Sequence, residues 1–72
     1  MLTVKSKVKD VLFNDEAYAI VKKHMPMLDR DDPRMKGAMN MSLMAFIAYP
    51  ATGVPKETRE AIAEELEDAE IE

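Results

Sequence analysis

The chain has no cysteine, no tryptophan and a single histidine, His24. Without cysteine there is no disulfide staple and no thiolate metal site. One histidine cannot build a histidine-rich centre. The only two glycines, Gly37 and Gly53, stand alone, so there is no glycine-rich loop to cradle a phosphate. No run approaches the ~20 apolar residues that span a bilayer. The N-terminal Met1-Leu2-Thr3-Val4-Lys5 lacks the apolar stretch of a secretory leader. The chain therefore reads as cytoplasmic, without a membrane partner. Seventy-two residues make one domain, 1–72, with a small core. Stability of only a few kcal/mol is expected of a core this size.

The net charge is −4. Its distribution says more than its sum. Lys5, Lys7 and Lys9 against Asp10 give the first thirteen residues a local +2. Residues 56–72 set eight acids against Lys56 and Arg59, a local −6. An acidic C-terminal segment repels a phosphate backbone, so nucleic acid is not an expected partner. The acids read as the solvated face of a last helix.

The most apolar stretch is Met41-Ser42-Leu43-Met44-Ala45-Phe46-Ile47-Ala48-Tyr49-Pro50. Ser42 is a natural N-cap, Met41 and Phe46 occupy the staple positions, and Pro50 stops the helix near Ala48. A short, central helix from Leu43 to Ala48 is predicted. Around it the sequence predicts three others and a short turn of helix. Ser6 would cap a first helix from Lys7 to Leu12 or Phe13, with Val8, Val11 and Leu12 on one stripe. Asn14 would cap a second, from Asp15 to about His24 or Met25. Asp15 and Glu16 sit in its first turn, Lys22 and Lys23 in its last, and Pro26 beyond. Met27 and Leu28 would tuck a loop against the core. Asp32-Pro33 would open a short helix to about Met39. Pro55 would stand at the first position of a last helix running to about Asp68 or Glu70, with Thr58, Ile62, Leu66 and Ala69 facing inward. Val54 cannot serve there as a side-chain cap, which leaves Thr52 or water. The expected fold is all-α, a compact domain of four or five short helices. Val8, Leu12, Ile20, Val21, Leu43, Phe46, Ile47, Ile62 and Leu66 would form its core.

Few residues offer chemistry. Asp29, Asp31 and Asp32 suggest calcium, but an EF-hand loop begun at Asp29 would need glycine where Arg34 stands and an acid where Asn40 stands. Loop solubility and an N-cap explain these acids, and no metal or cofactor is expected. His24 has no cysteine to activate, and both serines are assigned to caps. No catalytic residue is identified, and the chain reads as a non-enzyme. A helix-turn-helix reading of the last two helices fails on the charge of the would-be recognition helix, with Glu57, Glu60, Glu64, Glu65, Glu67 and Asp68.

The methionines are the unusual feature. Six of the seven lie between Met25 and Met44. Methionine fills irregular gaps in cores, and it is over-used on adaptable binding surfaces. So small an interior has little room for six. Met27, Met35 and Met39 are the expected exposed anchors of a partner surface, with Arg30, Arg34 and Lys36 as its polar rim. The occupant would be a protein partner or a second copy.

The motifs resemble those of a known domain when read in order. They are Val8-Lys9-Asp10-Val11-Leu12, Asn14-Asp15-Glu16-Ala17, Ile20-Val21-Lys22-Lys23-His24-Met25-Pro26, Met41-Ser42-Leu43 and Ile62-Ala63-Glu64-Glu65-Leu66. This order is similar to that of a small bacterial all-α domain found alone or appended to larger enzymes, including glycoside hydrolases. The family has no established activity, so the resemblance implies an accessory module. The helix order is also similar to the redox-disulfide domain associated with hybrid-cluster proteins. That domain carries a cysteine pair within the region matching Met27 to Asn40, where this chain has none. Two functional expectations follow: an accessory or protein-interaction module and, as the alternative, a small-ligand or carbohydrate-binding accessory domain. Sugar sites favour aromatic platforms, and an exposed Tyr18–Tyr49 pair would favour the alternative.

Overall fold

The first and third helices start on one another. In the computed structural model, which describes all 72 residues, two extended segments lie antiparallel and bridge at Lys7 and Ser42. Each hands its carbonyls to the other's helix. Leu43 and Met44 donate their N–H groups to the carbonyls of Ser6 (2.8 Å) and Val4 (2.7 Å). Val8 and Lys9 donate theirs to Met41 (2.8 Å) and Met39 (3.1 Å). These are first-turn donors that no intrahelical carbonyl can reach.

The order is α1 (Val8–Leu12), α2 (Asp15–His24), a 3₁₀ segment (Pro33–Ala38), α3 (Leu43–Ala48), a 3₁₀ turn (Pro50–Thr52) and α4 (Lys56–Ala69). There is no strand, and the fold is all-α. No helix is long and apolar enough to cross a membrane. α1 and α4 each pack on both α2 and α3.

The side-chain caps of α2 and α3 fall where the sequence puts them. Asn14 accepts from Ala17 N–H at 3.0 Å and Ser42 from Ala45 N–H at 3.1 Å. Asp32 accepts from Arg34 N–H at 2.9 Å, with Pro33 at the first position. The turn it opens is 3₁₀ rather than α. Met35 N–H already reaches the Asp32 carbonyl three residues back, the 3₁₀ pattern, and the run of six residues is long for that geometry. Ser6 does not cap α1. Its hydroxyl accepts from Thr3 N–H, and Lys7 is the cap residue without a side-chain bond. Carbonyls of Met39 and Met41, distant in sequence, do that work instead.

Thr52 also differs from expectation. Its hydroxyl proton is shared between the carbonyls of Tyr49 (2.7 Å) and Ile47 (3.2 Å), so it closes α3 and does not cap α4. Gly53 follows at φ 66°, the left-handed turn that lets the chain reverse. Pro55 is extended, and α4 starts one residue later than predicted, at Lys56.

Twelve residues make one core: Val8, Val11, Leu12, Ala17, Val21, Leu28, Met35, Leu43, Ile47, Ile62, Leu66 and Ile71. Ile20 and Phe46, expected inside, are half-buried against it. Leu28 tucks under the loop as predicted, whereas its neighbour Met27 does not. Ile71 is an addition. Glu70 takes a left-handed conformation (φ 48°) just past α4. The chain then turns inward, Ile71 is buried, and its carbonyl accepts from Leu2 N–H at 2.7 Å.

Candidate functional site

The loop after α2 is held by one arginine and one tyrosine. The Arg30 guanidinium donates to the Leu12 carbonyl at the end of α1 (3.1 Å) and to Asp15 at the start of α2 (2.9 Å). It also lies over the Tyr18 ring at 4.7 Å from the centroid. The hydrogen bond with Asp15 raises its pKa further above the usual guanidinium range. The Tyr18 hydroxyl in turn donates to the Leu28 carbonyl and accepts from Arg30 N–H, both at 3.3 Å. Arg30 is thus a clamp between the loop and the α1–α2 corner. It does not belong to a rim around the methionines.

With the loop fixed, a groove of about 570 Å³ opens between residues 24–29 and the α3–α4 connection. Leu28, Met35 and Phe46 floor it, and Val54 and Thr58 line the far wall. Met27 stands at its edge, 95% exposed. The charges here are engaged except for Asp29, whose carboxylate accepts only from Asp31 N–H. Asp32 is gripped through both carboxylate oxygens by Arg34, whose hydrogen bonds hold its pKa below the ordinary carboxylate value. At the other end His24 Nε2 meets Glu65 at 2.7 Å.

The structure redistributes the predicted anchors. Met27 is exposed as expected. Met35 is only 8% exposed and is floor, because the 3₁₀ segment turns it under the loop. Met39 is half-buried against the core, away from the groove, where its carbonyl serves α1. Arg34 lines the groove but is paired with Asp32, and exposed Lys36 lies outside it. The three methionines therefore form no continuous patch. Phe46, Val54 and Thr58 were not identified from sequence as surface residues. They come from segments far along the chain, and only packing brings them opposite Met27.

Neither tyrosine lines the groove. Tyr18 is half-buried with its hydroxyl engaged, while Tyr49 is 60% exposed. The serine hydroxyls accept from backbone N–H groups. No group of three or more acidic or histidine side chains is placed to hold a metal ion.

Glu65 ties α4 to the end of α2. Hydrogen bonds from Lys23, then from His24, lower its pKa below the ordinary 4.5. A carboxylate depressed in the folded state stabilises it fully above its unfolded pKa, and the gain disappears as pH falls through the lower folded value. The advantage of wild type over Glu65→Gln in urea melts is therefore expected at about pH 6. It should shrink once the pH drops below 4.5. Because these groups are partly exposed, added salt should also reduce it. A difference unchanged down to strongly acid pH would show that the carboxylate charge is not the cause.

The chain matches no protein-family profile, no curated protein and no solved structure.

Proposed function

We propose that this chain is a non-enzymatic accessory module that docks a protein partner, and that the groove beside Met27 is where it does so. The observation that supports this is a 95% exposed methionine beside a groove floored by Leu28, Met35 and Phe46. A free surface holds such a side chain in water at a cost that burial in an interface would remove. Methionine also adapts to the shape of what it meets. Asp32 is matched by Arg34 and His24 faces Glu65, while exposed Asp29 on the lining has no cationic partner, so the groove favours an uncharged apolar segment over an acidic one. The motif resemblance to domains appended to larger enzymes agrees with an accessory role. The groove has one aromatic lining residue, Phe46, and no tyrosine, which favours a protein segment over a sugar.

Selection of a random peptide display library on the folded domain tests this reading. Apolar peptides should be enriched, and on binding they should shift the Met27 and Met35 methyl resonances. Met27→Glu should weaken them about tenfold or more, the loss expected of an interface anchor. Its melting should stay close to wild type, because the side chain touches little in the free protein. The assignment of this groove fails if no selected peptide moves either methyl resonance, or if the peptides that do move them bind Met27→Glu equally well.

A further inference from the structure

A second, smaller groove of about 320 Å³ lies between the N-terminal segment, α3 and α4. Val4, Met44, Ile47, Ala48 and Ala63 give it an apolar lining. Val4 is fixed there because its carbonyl accepts from Met44 N–H at 2.7 Å. Ile47 is buried beneath, and Met44 remains 46% exposed. The charged residues of this groove are Lys56, Arg59 and Glu60. Lys56 and Glu60 face one another at 4.0 Å along α4, an exposed pair worth little.

Arg59 is the exception among the arginines. Arg30 is bound to Asp15 and Arg34 to Asp32. The Arg59 guanidinium forms no hydrogen bond and no ion pair within the chain, although its helix carries six acids, from Glu57 to Asp68. It is half-buried at the edge of an apolar groove. Exposed Lys5, next to Val4, also has no carboxylate partner. On a protein of net charge −4, the charges lining this cleft, Lys56, Arg59 and Glu60, sum to +1, and Arg59 is the one left unpaired.

We infer that this groove receives a segment of another protein in which an apolar side chain is followed or preceded, within one helical turn, by Asp or Glu. The apolar side chain would rest on Met44 and Ala48 between Val4 and Ala63. The carboxylate would take the free guanidinium, which offers a planar two-point donor that lysine does not. Charge complementarity selects this occupant. A neutral segment would leave Arg59 less hydrated and still unpaired, and a basic one would be repelled. This groove is separate from the one beside Met27, and its occupant differs from the uncharged segment expected there.

The same peptide library, selected at low ionic strength, tests the inference with different reporters. A class of peptides pairing Leu, Ile, Met or Phe with Asp or Glu should be enriched, and should shift the Met44 and Ile47 methyl resonances while leaving Met27 unmoved. Arg59→Gln, which keeps a polar side chain of similar reach at a half-exposed site, should weaken this class about tenfold and leave the Met27-directed class unchanged. Replacing the selected acid by lysine should abolish binding, and raised salt should weaken it. The inference is overturned if no peptide shifts the Met44 and Ile47 resonances. It is equally overturned if those that do lack an acid, or bind Arg59→Gln as tightly as wild type. Resonances of Met44 and Ile47 that move with the concentration of the domain alone would overturn it in favour of a second copy. Each result is read at a groove distinct from Met27, so either assignment can fail without the other.

Discussion

Leu43→Ala is expected to leave most of the chain unfolded at room temperature. Leu43 is fully buried, and truncation of such a leucine costs about 2–5 kcal/mol through lost transfer energy and the cavity left behind. A domain of this size has a total stability of about 3–5 kcal/mol. Local collapse cannot easily fill the gap. The Leu43 N–H is bonded to Ser6, so the start of α3 is held against the N-terminal segment on one side and the core on the other. Met44→Ala, one residue on and half-exposed, serves as the control and should melt near wild type. Circular dichroism on heating and in urea measures both. A folded Leu43→Ala with an unchanged midpoint would mean that the core is not centred on α3. Phe46→Ala should be milder than full burial would have made it, because the ring is only partly covered.

Removal of the last two residues, Ile71 and Glu72, is the second large effect. A C-terminal dipeptide after a charged helix would ordinarily be dispensable. Here it carries a core side chain and a hydrogen bond that joins the chain's two ends. The truncated chain should lose about 2 kcal/mol or more, at the lower end of the cost of deleting a large buried aliphatic residue. Ile71→Ala should account for most of that loss. Glu72→Ala, an exposed position, should have almost none. Hydrogen exchange offers a second readout, since Leu2 N–H should lose its protection in the truncated chain. If truncation leaves the urea midpoint in place, the inward turn at Glu70 contributes nothing.

Both effects bear on what could be read beforehand. Leu43 was legible because its surroundings are local: Ser42 before it, an uncharged run after it, and Pro50 to end the run. Ile71 was not, because it stands alone after a helix whose apolar stripe had already ended at Ala69. Whether an isolated isoleucine lies in water or in the core depends on where the next left-handed residue aims it. Here that residue is Glu70, a type with no strong preference for the conformation.

The methionine region shows the same division. Its loop is irregular, and alternate or helical spacing gives no rule for which side chain turns inward. Met27 and Met35 were indistinguishable as sequence. In the structure one is almost wholly exposed and the other is groove floor, because the Arg30–Tyr18 clamp sets the path of the loop between them. Arg30 itself reads from sequence as a rim charge beside the methionines, and only packing shows it reaching back to Leu12 and Asp15.

The sequence by itself determined the all-α class, the single domain, the starts of α2 and α3, their ends near proline, and most of the core stripe. Caps act within about four residues, and a helical stripe repeats within one or two turns, so both are written locally. Tertiary structure alone decided how α1 begins, which methionines are exposed, what Arg30 holds, and why Arg59 has no partner. Each of these depends on a carbonyl, a ring or a carboxylate brought near, or not brought near, by packing between elements distant along the chain.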